Sequence, residues 1–86
     1  MKYTAPVKKI RCQSFDPTGV YEMSCDMRYK RGRGPKIPLG PKTTKKFLLK
    51  NILNEDHDHF KRGWSMAVTF EDVKGTRGVL ITKEDL

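Results

Sequence analysis

The chain has 86 residues, 36% hydrophobic and 33% charged, with a mean hydropathy of -0.69; that is enough for one thin core and too little for two. Eighteen Lys and Arg against ten Asp and Glu give +8, and the longest apolar run, Phe47-Leu48-Leu49, falls far short of the roughly 20 residues of a membrane-spanning helix. Met1-Lys2-Tyr3-Thr4 leads into no apolar signal region, so one domain over 1–86, no membrane partner and a cytoplasmic location are expected.

Residues 7–15 and 20–29 flank Asp16-Pro17-Thr18-Gly19, whose Pro and Gly are turn formers, which predicts a β-hairpin. The second strand alternates, with Tyr21, Met23, Cys25, Met27 and Tyr29 on one face and Glu22, Ser24, Asp26 and Arg28 on the other. In the first strand Ile10 and Cys12 share a face that Phe15 does not, so a bulge or an early strand end is expected. Residues 30–42 hold three glycines and three prolines among basic side chains, which predicts a flexible basic loop. Thr43 or Thr44 then caps a helix whose apolar stripe is Leu49, Ile52, Leu53 and Phe60, with Gly63 as its stop. Glu55, Asp56 and Asp58 fall in the half of that helix where the macrodipole disfavours acids, so a break near Asn54 is expected. Residues 64–71 alternate with Trp64, Met66, Val68 and Phe70 inward, and residues 74–78 turn the chain into a last strand over 79–82. The fold class that follows is α+β in ββαββ order, an antiparallel sheet packed on one helix with a long basic Gly/Pro loop before it.

Charge is not spread evenly over these elements. Segment 28–54 carries nine basic residues, Arg28, Lys30, Arg31, Arg33, Lys36, Lys42, Lys45, Lys46 and Lys50, and no acid. The rest of the chain is close to neutral, so the whole positive balance belongs to this stretch. Such a focused potential favours a polyanion, with nucleic acid first and an acidic protein or nucleoprotein complex second. On a helical wheel Lys46, Lys50, Asn54, His57 and Lys61 form one ridge beside the apolar stripe. Phe47 lies just off that ridge and Tyr29 adjoins the loop; each is either a core ring or a surface on which a base could stack, and core is preferred for Phe47.

Arg31-Gly32-Arg33 resembles the AT-hook, a short motif whose Arg-Gly-Arg lies in the minor groove of A·T-rich DNA. The AT-hook has Pro directly after its second Arg, whereas Gly34 intervenes here before Pro35 and Lys36, so the resemblance implies nucleic-acid contact without a groove preference. Asp56-His57-Asp58-His59, with Thr76-Arg77-Gly78-Val79-Leu80 downstream, looks like elements of the phage recombination endonucleases of the ββα-metal class. Those enzymes frame their site with two Cys-x-x-Cys zinc pairs and a later metal-ligating helix, whereas Cys12 and Cys25 stand thirteen apart here and no helix that would supply the further ligand is expected. A degenerate metal-dependent nuclease is therefore the remote alternative.

Cys12 and Cys25 face each other if the first hairpin closes with a four-residue loop, in which paired residue numbers sum to 37, and lie on opposite faces with a three-residue loop. Free thiols are expected, since Cys12, Cys25, His57 and His59 lack zinc-ligand spacing. No cofactor, metal site or catalytic residue is expected. The expectation is a small non-catalytic nucleic-acid-binding protein, DNA preferred over RNA, gripping phosphates with the nine basic residues. The alternative is a small interaction protein, an inhibitor or accessory factor, that docks the same surface on an acidic partner.

Overall fold

The computed structural model describes residues 5–86 apart from the side chain of Met23. The reading of Met1-Lys2-Tyr3-Thr4 as no signal region lies outside the described residues. Strands β1 (Lys9–Phe15), β2 (Tyr21–Arg28), β3 (Ser65–Asp72) and β4 (Gly75–Ile81) form one antiparallel sheet in the order β2-β1-β3-β4. Helices α1 (Pro41–Asn51) and α2 (His57–Lys61) lie between β2 and β3 in the chain, with a 3₁₀ turn at Asn54–Asp56 between them. A small α+β architecture is the result. The β1–β3 pairing, Ile10 opposite Phe70 and Cys12 opposite Val68, joins the two hairpins.

In the first hairpin Asp16 accepts through one carboxylate oxygen from the Thr18 hydroxyl at 2.6 Å and from the Thr18 and Val20 N–H groups, each at 2.9 Å. These donors, the Thr18 hydroxyl first, hold its carboxyl below the usual carboxylate range. The register pairs Cys12 with Cys25 and Lys9 with Arg28, then shifts between Ser14 and Phe15. The bulge carries Tyr21 across to Phe15, and the two rings meet edge to face at 6.0 Å. Tyr21 therefore does not share a face with Cys25, Met27 and Tyr29 as the alternation suggested. Cys25 is exposed as well, because β2 is an edge strand and burial is concentrated on the central strands, at Ile10, Cys12 and Ser14 of β1 and Met66, Val68 and Phe70 of β3.

The second hairpin turns earlier than expected. The Asp72 carboxylate accepts from the Lys74 N–H at 2.7 Å and the Gly75 N–H at 3.2 Å, closing the chain at Val73 and Lys74. A short acidic side chain that mimics a backbone acceptor makes such a turn by itself. Thr76, Arg77 and Gly78 consequently belong to β4, not to a loop.

The expected single helix is divided. Gly40 is the N-cap and Pro41 the first helical residue, where its missing N–H costs nothing. Thr43 and Thr44 do not cap: the Thr44 hydroxyl donates to the carbonyls of Pro38 and Gly40, both at 2.7 Å, and that of Thr43 to Leu39 at 2.8 Å. α1 stops at Asn51, and Glu55, Asp56 and Asp58 then occupy the first turns of the 3₁₀ segment and of α2. Restarting the helix turns acids that would oppose one macrodipole into acids that favour the next. Leu49, Leu53 and Phe60 of the expected stripe reach the core, joined by Thr44 and Leu48; Phe47 and Ile52 pack against it half-buried. Trp64 is half-buried, with its ring 5.5 Å from that of His59.

The stretch from Tyr29 to Gly40 is irregular, but it is tied to the core. Ile37 is 0% exposed and Pro38 buried. The Val7 N–H donates to the Pro35 carbonyl at 3.0 Å, and Gly34 lies so close that a Cβ on it would overlap the Val7 carbonyl. On the sheet side the Arg77 guanidinium sits 4.6 Å from the centre of the Phe70 ring, a cation–π contact beside the Pro38 carbonyl.

Candidate nucleic-acid interface

Because Ile37 and Pro38 are buried, the cations on either side of them project from a fixed strip. Lys30, Arg31, Arg33 and Lys36 are all exposed. A tight turn, in which the Arg33 N–H donates to the Lys30 carbonyl at 2.8 Å and Gly32 adopts φ 77°, carries the first three. Lys42, Lys46 and Lys50 are exposed along α1. Among the described residues, none of these seven cations has a carboxylate within ion-pairing distance. The other two of the nine are engaged. Arg28 lies 3.9 Å from Asp26, which also faces Lys9 at 3.6 Å, and Lys45 lies 3.3 Å from Asp85. Asp85 is itself fixed, since it accepts the Thr82 N–H at 2.9 Å.

Three of the nine basic side chains line two cavities. Lys46 and Lys50 line a cavity of about 490 Å³ with Leu49, Asn54, His57, Asp85 and Leu86, so four members of the expected ridge surround one hollow despite the break in the helix. Arg31 and Gly32 line a second cavity of about 550 Å³ with Ala5, Pro6, Lys8, Tyr29 and Val73. Lys8 was not among the expected site residues. Its place was nevertheless readable: in the hairpin whose paired numbers sum to 37, residue 8 faces residue 29, and the Tyr29 N–H donates to the Lys8 carbonyl at 2.9 Å. Tyr29 is half-buried, and burial raises its phenol pKa above the ordinary value, with a smaller contribution from Cys12.

The two histidines diverge. The His57 Nε2 is 3.1 Å from the Leu49 carbonyl, which fixes Nε2 as the protonated nitrogen, while His59 faces Trp64. Among the described residues no three His, Cys, Asp or Glu side chains converge on a point where a metal could sit. Arg77, Gly78, Val79 and Leu80 of the second endonuclease-like string are paired to β3 in the sheet.

Cys12 and Cys25 are both free thiols, one buried and one exposed, although their strands place them opposite each other. Burial first, then the hydrogen bond to Cys25, hold the Cys12 thiol protonated well above the ordinary range. Because the thiolate is the reactive form, an alkylating reagent at pH 8 is expected to modify the folded protein once, at Cys25, and to reach Cys12 only after unfolding. Peptide mapping by mass spectrometry checks this; fast double labelling in native buffer would contradict the burial of Cys12.

Comparison of the chain with protein-family models, with curated proteins and with solved structures found no match. Among the described residues no helix is long and apolar enough to cross a membrane.

Proposed function

We propose that this chain is a small non-catalytic nucleic-acid-binding protein that grips phosphates with segment 28–54. One observation carries the reading: the acid-free segment is tethered to the core at Ile37, Pro38 and Pro35. Lys30, Arg31, Arg33 and Lys36 therefore stand on a support that does not need to be ordered on binding, and cations held in place lose less entropy when a phosphate arrives. Nucleic acid is the polyanion whose regularly spaced charges suit such a row, and phosphate contacts supply most of non-specific affinity.

The test is fluorescence anisotropy with labelled duplex DNA, single-stranded DNA and RNA. Charge reversal at Arg31 and Arg33 is expected to weaken binding at least tenfold more than the same reversal at Lys74 and Lys83, which lie outside the segment. Equal losses would show that total charge, not this strip, attracts the ligand.

A second reading has its own support. The hollow of about 490 Å³ joins Leu49 and Leu86 to the cations Lys46 and Lys50, a combination suited to an acidic protein with an apolar anchor. A complex that survives nuclease treatment and is lost on Lys46→Glu with Lys50→Glu would favour that partner.

A further inference from the structure

We propose that the cavity of about 550 Å³ at the end of the sheet takes one unpaired nucleotide of a single strand, its base against Tyr29 and its phosphate between Lys8 and Arg31. This inference rests on the nucleic-acid reading above and adds to it the strandedness and the place where a base is held. Three features of the hollow lead there. Its volume lies within the range of about 300–1,000 Å³ usual for small-ligand sites. Its described lining, Ala5, Pro6, Lys8, Tyr29, Arg31, Gly32 and Val73, contains two cations and no carboxylate. Its wall also includes an aromatic side chain, Tyr29, with apolar neighbours, since Val73 is 66% exposed and Pro6 only partly covered.

The wall is held in place. The Tyr29 N–H bonds the Lys8 carbonyl at 2.9 Å, and its hydroxyl lies 3.9 Å from the Met27 sulfur. The ring packs against the core and still lines the cavity, and burial raises its phenol pKa above the ordinary value. Gly32 at φ 77° turns the backbone directly after Arg31, and nothing lies within 4 Å of where its Cβ would be. A duplex would use the cations and leave the ring idle, because its bases already stack on one another. An unpaired nucleotide uses both, stacking on the aromatic face while its phosphate meets Lys8 and Arg31.

The experiment compares two labelled strands of equal length and equal phosphate number, oligo(dT) and a fully abasic strand, by anisotropy with the intact chain. The expected result is that oligo(dT) binds about 5- to 140-fold more tightly, the usual effect of one stacked base. Tyr29→Ala is expected to erase that preference, Tyr29→Phe to keep it, and Lys8→Ala to weaken both strands alike. The wild-type comparison requires no variant, so a poorly folded Tyr29→Ala protein does not decide the matter. Equal binding of the two strands, with affinity still lost on reversing Arg31 and Arg33, would overturn the base site and leave the phosphate grip standing. Failure of either strand and of duplex DNA to bind at low salt would overturn both readings.

Discussion

Raising the salt from about 50 to about 200 mM is expected to weaken binding to duplex DNA roughly a thousand-fold. Seven of the nine cations of segment 28–54 are exposed and, among the described residues, free of carboxylates; Arg28 and Lys45 are engaged by Asp26 and Asp85. If five or six of the seven neutralise phosphates, log K falls with log salt at a slope of about -5, and a fourfold rise in salt then costs about three decades. On a single strand of the same length the slope is shallower, about -4, because fewer counterions are condensed on it. Converting Arg31 and Arg33 to Glu is expected to reduce the duplex slope by about two, since each lost phosphate contact removes about one unit. Lys45→Ala is expected to leave the slope unchanged, its ammonium being committed to Asp85. An anisotropy titration at four salt concentrations measures all of these. A slope near zero in the wild type would mean that phosphates are not the ligand.

The second large effect is on folding, and it tests whether the basic strip is part of the core. Ile37→Ala is expected to cost about 2–5 kcal/mol, the usual loss for truncating a fully buried aliphatic side chain, while Lys36→Ala next to it stays within about 0.5 kcal/mol. Gly34→Ala is expected to cost roughly 2–4 kcal/mol, because its new methyl group would overlap the Val7 carbonyl and only a backbone shift could relieve it. Gly32→Ala supplies the contrast: open space surrounds that position, and only its φ of 77° is unfavourable, so about 1–2 kcal/mol is expected. Urea midpoints for the four variants give the ranking directly. If Ile37→Ala and Lys36→Ala proved alike, the strip would not be seated, and the preorganisation that supports the functional reading would be lost with it. A folded fraction of Gly34→Ala, which keeps every charge, is expected to bind more weakly than the wild type for the same reason.

How much of this was legible beforehand differs by element. Local patterns were enough for the two hairpins, for an irregularity at the Phe15 end of the first one, although its extra residue is Glu22 on β2 and β1 itself stays regular against β3, and for the break of the helical stretch near Asn54. Each depends on residues close in the chain: a Pro-Thr-Gly turn, an alternation out of step, and acids at the wrong end of a dipole. Composition by itself located the positive charge, because 28–54 contains no acid in any conformation. The missed features depend on what meets what at long range. The pairing of β1 with β3 decides which strands are central, and with that why Cys12 is buried while Cys25, opposite it, is exposed. The turn at Val73 and Lys74 depends on a hydrogen bond from one side chain, and the start of α1 depends on Pro41 where two threonines looked like better caps. Most of all, Gly34, Pro35, Ile37 and Pro38 read as a flexible loop because Gly and Pro break regular structure. Only tertiary structure shows that Ile37 fills the core and that Gly34 is a glycine because the Val7 backbone passes where a side chain would stand. Periodicity reports which face of a regular element is apolar, and a buried residue in an irregular strip has no period to reveal it. The charge of the surface, and the facing of Lys8 and Tyr29 in the first hairpin, were thus set locally in the sequence, while the rigidity of the strip, and the arrival of Val73 beside Tyr29 and Arg31, came from packing between segments far apart in the chain.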